Sequence, residues 1–111
     1  MSASGSAALH WDVDKDGDAV TIRFEGSLDL GSGRVVDRQI GRLSLDGARE
    51  VIVDLRRAAF IDSTGLRVLL ELLSRSRRES FVLRVVPGNG QVRRAIEQSG
   101  LDNVLELADD P

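Results

Sequence analysis

Val51-Ile52-Val53-Asp54-Leu55 and, a few residues on, Phe60-Ile61-Asp62-Ser63-Thr64-Gly65-Leu66 decide how this chain folds. The first run is short, β-branched and almost free of polar residues, which suits a central strand buried on both faces. Leu66 to Leu73 has helical length and good helix formers, so the chain passes from strand to helix inside this stretch. Asp62-Ser63-Thr64 therefore falls at a helix start. Any of the three side chains can accept a hydrogen bond from the first-turn N–H groups that lack intrahelical partners. Taken structurally, Asp-Ser-Thr before an apolar helix is an ordinary cap; taken functionally, it presents a hydroxyl at the end of a buried strand.

Upstream, Leu9, Trp11 and Val13 alternate with His10, Asp12 and Asp14, and Val20, Ile22 and Phe24 alternate with Thr21, Arg23 and Glu25. Both segments read as half-buried strands. Asp16-Gly17 between them is a hairpin signal, because Gly tolerates the positive φ of tight hairpin turns. Gly26-Ser27-Leu28-Asp29 ends the second strand. Ser32 is then expected to cap a helix carrying Val36, Ile40 and Leu43 at i, i+4, i+7, stopped by Gly47. Gly33 and Gly41 each weaken this helix by about 1 kcal/mol relative to Ala, so it must rely on packing.

Downstream, the helix from Ser63 is expected to reach about Arg77, with Arg75, Arg77 and Arg78 against the negative pole of its dipole. Phe81 to Val86 reads as a strand, stopped by Pro87-Gly88-Asn89-Gly90. A short helix over 91–99 follows, with Val92, Ala95 and Ile96 inward and Gly100 at the left-handed C′ position. Leu101, Val104, Leu105 and Leu107 suggest a last short strand. The order β-β-α-β-α-β-α-β predicts an α/β fold: one domain, an N-terminal β-hairpin, then alternating helices and strands forming a mixed sheet with helices packed against it. Its core should include Ile52, Leu55, Val68, Leu72, Val82 and Val85. Residues 8–108 are assigned to the domain and 1–7, all small or polar apart from Met1, to a disordered tail.

Composition narrows the function. A chain of 111 residues has the size of one domain. It contains no apolar stretch long enough for a membrane span and no signal-peptide pattern at its start, which predicts a cytoplasmic protein without a membrane partner. With Cys 0 and His 1, thiolate metal sites, cysteine nucleophiles and histidine triads have no residues to build them. His10 lies on the polar side of its strand. The net charge of −3 arises from 15 basic and 18 acidic residues spread along the chain, with no basic stripe to hold nucleic acid. Asp12-x-Asp14-x-Asp16-Gly17-Asp18 copies the first half of an EF-hand loop, but Arg23 falls where the bidentate Glu is needed and the flanks are strand-like, so no metal site is expected. Asp54 and Asp62 are not paired with a nucleophile and base, and Ser63 has no histidine to activate it; the chain does not read as an enzyme.

Taken together, Asp62-Ser63-Thr64-Gly65-Leu66 after a buried strand, Gly26-Ser27-Leu28-Asp29 upstream and Ser99-Gly100-Leu101 closing the last helix resemble the STAS domain of bacterial anti-sigma factor antagonists. The resemblance runs from about Leu9 to Leu107. It implies that the unphosphorylated protein binds an anti-sigma factor that is also a serine kinase and so releases a sigma factor. The kinase phosphorylates the first hydroxyl residue after the Asp, which is Ser63 here, with Thr64 as the alternative acceptor. The docking surface would comprise Asp29, Asp62, Ser63, Thr64, Gly65 and Leu66. ATP and Mg²⁺ would belong to the kinase, leaving this chain without a cofactor; a PP2C-type phosphatase would reset it, and the free protein would be a monomer. STAS domains also serve as accessory subunits of lipid ABC transporters and as regulatory domains of anion transporters, which gives the alternative reading. Relatives usually carry a helix after the last strand, expected here to be short or absent.

Overall fold

In the computed structural model, residues 9–88 and 90–110 are described. The expected tail over 1–7 lies outside them. The hairpin forms as read: β1 (His10–Asp16) pairs antiparallel with β2 (Ala19–Leu28), Asp16 opposite Ala19, with Gly17 at φ 62° in the turn. Then come α1 (Leu30–Gly41), β3 (Glu50–Ile61), α2 (Ser63–Glu79), β4 (Val82–Val86), α3 (Gln91–Gln98), a 3₁₀ turn (Leu101–Asn103) and β5 (Glu106–Leu107). The strands lie in the order β1-β2-β3-β4-β5, and every pairing after the hairpin is parallel. This is the mixed sheet and the element order that the sequence predicts.

All three helices feed one apolar cluster. Val36 and Ile40 of α1, Val68, Leu69 and Leu72 of α2, and Val92 and Ile96 of α3 join Val51, Val53 and Leu55 of β3 and Leu83 and Val85 of β4. Val51 through Leu55 are all buried, as expected for a central strand, yet Ile52 and Asp54 lie outside that cluster. They share the other, polar face of the sheet with Arg84, which pairs with Glu50 and Glu106. Val82 belongs to that face too. It stands opposite Glu50 and is 49% exposed, which corrects its expected place in the core; Phe81 and Leu83 are buried instead. Val82 and Arg84 are two residues apart and so point to the same face, which the ion pairs of Arg84 keep polar.

Other boundaries also differ. Asp29, not Ser32, caps α1: its side chain accepts from the Gly31 N–H at 3.0 Å, while Ser32 Oγ at N3 accepts from the Asp29 N–H at 3.2 Å. The helix ends at Gly41, well before Gly47, and Leu43 packs from the following loop. The α2 helix runs two residues beyond Arg77 and closes at Ser80, which adopts the left-handed region at φ 63°. Arg75 does not face its own helix's dipole. It donates to the Ile40 and Leu43 carbonyls at 2.8 Å each, satisfying the C-terminal end of α1, and pairs with Glu79 at 2.7 Å. Of the last expected strand, only Glu106–Leu107 is extended, because Leu101–Asn103 first turns as 3₁₀ helix.

Candidate functional site

Parallel pairing of β2 with β3 brings their carboxyl ends together, with Leu28 beside Ile61. Each strand is followed at once by an aspartate and a helix, so Asp29 and Asp62 stand side by side where two helix N-termini converge. Residues at the carboxyl ends of parallel strands are where α/β sheets place their sites. Of the three residues left open by the sequence, Asp62 is the cap of α2. Its backbone is extended, at φ −118° and ψ −168°, and Oδ1 accepts from the Thr64 and Gly65 N–H groups at 2.9 and 3.2 Å. Oδ2 accepts from the Leu30 N–H at 3.1 Å, the first residue of the other helix. One carboxylate thus holds both helix starts.

The remaining site residues sort by exposure. Ser63 opens α2 and is exposed, whereas Thr64 is half-buried with its methyl group against Gly33 of α1. A Cβ on Gly33 would stand 2.7 Å from Thr64 Cγ2, so the small residue lets α1 lie close to α2. Gly65 is buried against the Leu28 carbonyl oxygen, and an added Cβ would come within 2.5 Å of Ile61 Cγ1. It offers no surface to a partner; its part is to seat the helix start on the strand ends. Leu66 is half-buried and packs on the core. Asp29 is half-buried, and Ser27 is buried, its carbonyl accepting from Ser32 Oγ at 2.8 Å. The six sequence-derived residues are therefore contiguous, but only Ser63 among them is fully at the surface.

Four residues that the sequence reading does not single out, Leu30, Arg34, Asp37 and Arg67, complete this corner. Leu30, the first residue of α1, is 61% exposed. With Gly33, Arg34, Asp37, Thr64 and Arg67 it lines a cleft of about 90 Å³ between α1 and α2. The four-residue spacing from Ser63 to Arg67 was available as a signal; Leu30 and Arg34 come into view only once the helices are packed.

A second hollow, of about 450 Å³, is lined by His10, Arg23, Asp54, Arg56 and Arg57 among others. Its arginines are already engaged: Arg56 grips Asp54 through two side-chain bonds of 3.0 and 2.8 Å, Arg57 pairs with Glu25, and Arg23 with Asp12 and Asp14. Burial pushes the Asp54 carboxyl up, but hydrogen bonds from the Arg56 side chain and backbone and the charges of Arg56 and Arg23 outweigh it and hold the group below the usual aspartate range. The EF-hand-like acidic run lies on this hairpin, where Arg23 crosses to two of its carboxylates. No group of three or more His, Cys, Asp or Glu placed to hold a metal occurs among the described residues, and no helix among them is long and apolar enough to cross a membrane.

Comparison with known proteins fits this architecture. The chain is 30% identical over 95 residues to the anti-sigma-F factor antagonist of Mycobacterium tuberculosis, covering 86% of this chain and 76% of that protein. The crystal structure of an anti-sigma factor antagonist from Mycobacterium paratuberculosis superposes with a TM-score of 0.81 at 23% identity, over 92% of this chain and 86% of that one. A sulfate transporter family protein from Wolinella succinogenes shares the fold at a TM-score of 0.71 and 17% identity, over 84% of this chain and 78% of that one. The model of the STAS domain matches residues 10–110, and the protein belongs to the STAS domain family.

Proposed function

We propose that the protein is an anti-sigma factor antagonist: its unphosphorylated form binds a serine-kinase anti-sigma factor and frees a sigma factor, and phosphorylation of Ser63 ends that binding. The observation that carries the reading is the placement of Ser63. It is an exposed hydroxyl on the first residue of α2, held in place by a buried glycine behind it and a carboxylate that anchors two helices. Thr64, half-buried against α1, is the poorer acceptor. The antagonist name borne by the mycobacterial relative supports the same assignment.

In this scheme the chain is substrate and ligand. The kinase supplies ATP, Mg²⁺ and the base that takes the hydroxyl proton, and a PP2C-type phosphatase removes the phosphoryl group. Phosphorylation adds about −1.5 to −2 charges and three acceptor oxygens. The fold tolerates them, since a helix N-terminus favours an anion by up to about 1 kcal/mol. A partner surface shaped around a neutral hydroxyl does not. Desolvation and repulsion there can cost several kcal/mol, and each 1.4 kcal/mol is about tenfold in affinity.

The test is a pair of substitutions at one position, read by binding to the cognate kinase and by phosphopeptide mapping. Ser63→Ala should lose most labelling and still bind; Ser63→Asp should stay folded and bind at least about tenfold more weakly. An Asp variant that binds as tightly as the parent, or a label away from residues 63 and 64, would sink the switch. The transporter-linked reading rests on a shared fold alone. It predicts binding to a transporter subunit that neither substitution changes.

A further inference from the structure

We infer that Arg67 and Arg34 form a receptor for the phosphate on Ser63, drawing it down onto the cleft between α1 and α2. The inference rests on the modification proposed above and says where the new charge goes. Ser63 and Arg67 stand i, i+4 on α2, the spacing at which helical side chains meet, and the order of anion before cation is the favourable one. Helical side chains lean toward the N-terminus, which carries Arg67 back over the turn that Ser63 opens. Arg34 stands on the other helix. It lines the cleft with Thr64 and Arg67, beside Gly33, whose missing side chain lets the two helices approach.

Charge bookkeeping at this corner favours the arginines. Asp29 and Asp62 are both committed to backbone N–H groups, Asp29 to Gly31 and Asp62 to Leu30, Thr64 and Gly65. Arg34 and Arg67 are exposed, and among the described residues neither has a carboxylate within ion-pair distance, although Asp37 lines the same cleft. A phosphate dianion brings three acceptor oxygens, and guanidinium groups match such oxygens two at a time. Phosphorylation then does two things to the docking surface: it adds negative charge and it withdraws two cations. An aspartate at residue 63 is shorter and carries one charge, so it reproduces only part of this.

The experiment places phosphoserine at position 63 by codon suppression, without any kinase, and titrates it by ³¹P NMR in four backgrounds: parent, Arg67→Gln, Arg34→Gln and the double variant. A solvated phosphoserine gives up its second proton near pH 6. Pairing should hold the parent's second pKa below that of the double variant by about half a unit, with Arg67→Gln accounting for the larger share, and 0.5 M salt should narrow the gap. Equal values within about 0.1 unit in all four proteins would overturn the receptor. Both substitutions are on exposed residues, and circular dichroism of each variant verifies that the fold is intact. Failure of a kinase to label Ser63 would sink the switch and leave this titration readable; equal titrations would sink the receptor and leave the switch standing.

Discussion

Asp54 lies within β3 and Asp62 directly follows it, and the two carboxylates act in opposite ways. Asp62 accepts from three backbone N–H groups belonging to two helices. Asp54 accepts one backbone N–H, that of Arg56, and otherwise two bonds from the Arg56 guanidinium. A carboxylate satisfied by main chain fixes where the chain goes; one satisfied by a flexible cation fixes little beyond that side chain. This places the candidate site where main-chain groups of two helices are joined and leaves the hairpin hollow lined by side-chain ion pairs.

The comparison breaks most readily at Asp62. Asp62→Ala removes the acceptor for three N–H groups, and we expect a loss of about 3 kcal/mol in urea unfolding, more than a single cap contributes. Asp54→Ala costing as much would erase the distinction. Gly65→Ala is next, at about 2 kcal/mol, because the methyl group must displace Leu28 and Ile61. Gly41→Ala is its control: nothing lies within 4 Å of an added Cβ, and the change should stabilise by about 0.5 kcal/mol. Asp54→Asn is the smallest loss, at about 1 kcal/mol, and its pH dependence sharpens the contrast. Because the folded-state carboxyl titrates below its ordinary value of 3.8, its contribution is present above that pH and is lost as pH falls through the lower folded value. The gap between parent and Asp54→Asn, followed by chemical denaturation, should therefore be constant near neutrality and close on acidification below about pH 4. A gap that widened in acid would reverse the assignment.

Much of this was legible in the chain, and the exceptions share a cause. Alternation in β1 and β2, the apolar run of β3 and the leucines of α2 are strong local signals, and they yielded the element order and the helix start at Ser63. The cap among Asp62, Ser63 and Thr64 stayed open because the choice depends on which residue keeps an extended backbone. Ser32 reads as the cap of α1 because a capping box with Ser at N3 does not follow the usual Glu or Gln pattern. Val82 stands two residues before Arg84 and shares its outward face, a phase that Arg84 carries and the apolar Phe81-Val82-Leu83 alone does not. The cleft residues Leu30 and Arg34, and the reach of Arg75 to another helix, depend on how α1 meets α2, which no local spacing encodes.

That meeting has a consequence for motion. Side chains from the α2 segment tie α1 at both ends, Asp62 to the N–H of Leu30 and Arg75 to the carbonyls of Ile40 and Leu43, with Gly33 seated on Thr64 between them. Three glycines, at 31, 33 and 41, leave α1 little helical tendency of its own. In amide hydrogen exchange the two helices should thus behave as an unequal pair. The amides of α1 exchange whenever α1 detaches by itself and whenever α2 opens, while those of α2 survive the first event, so the weaker helix can never be better protected than the stronger one that brackets it.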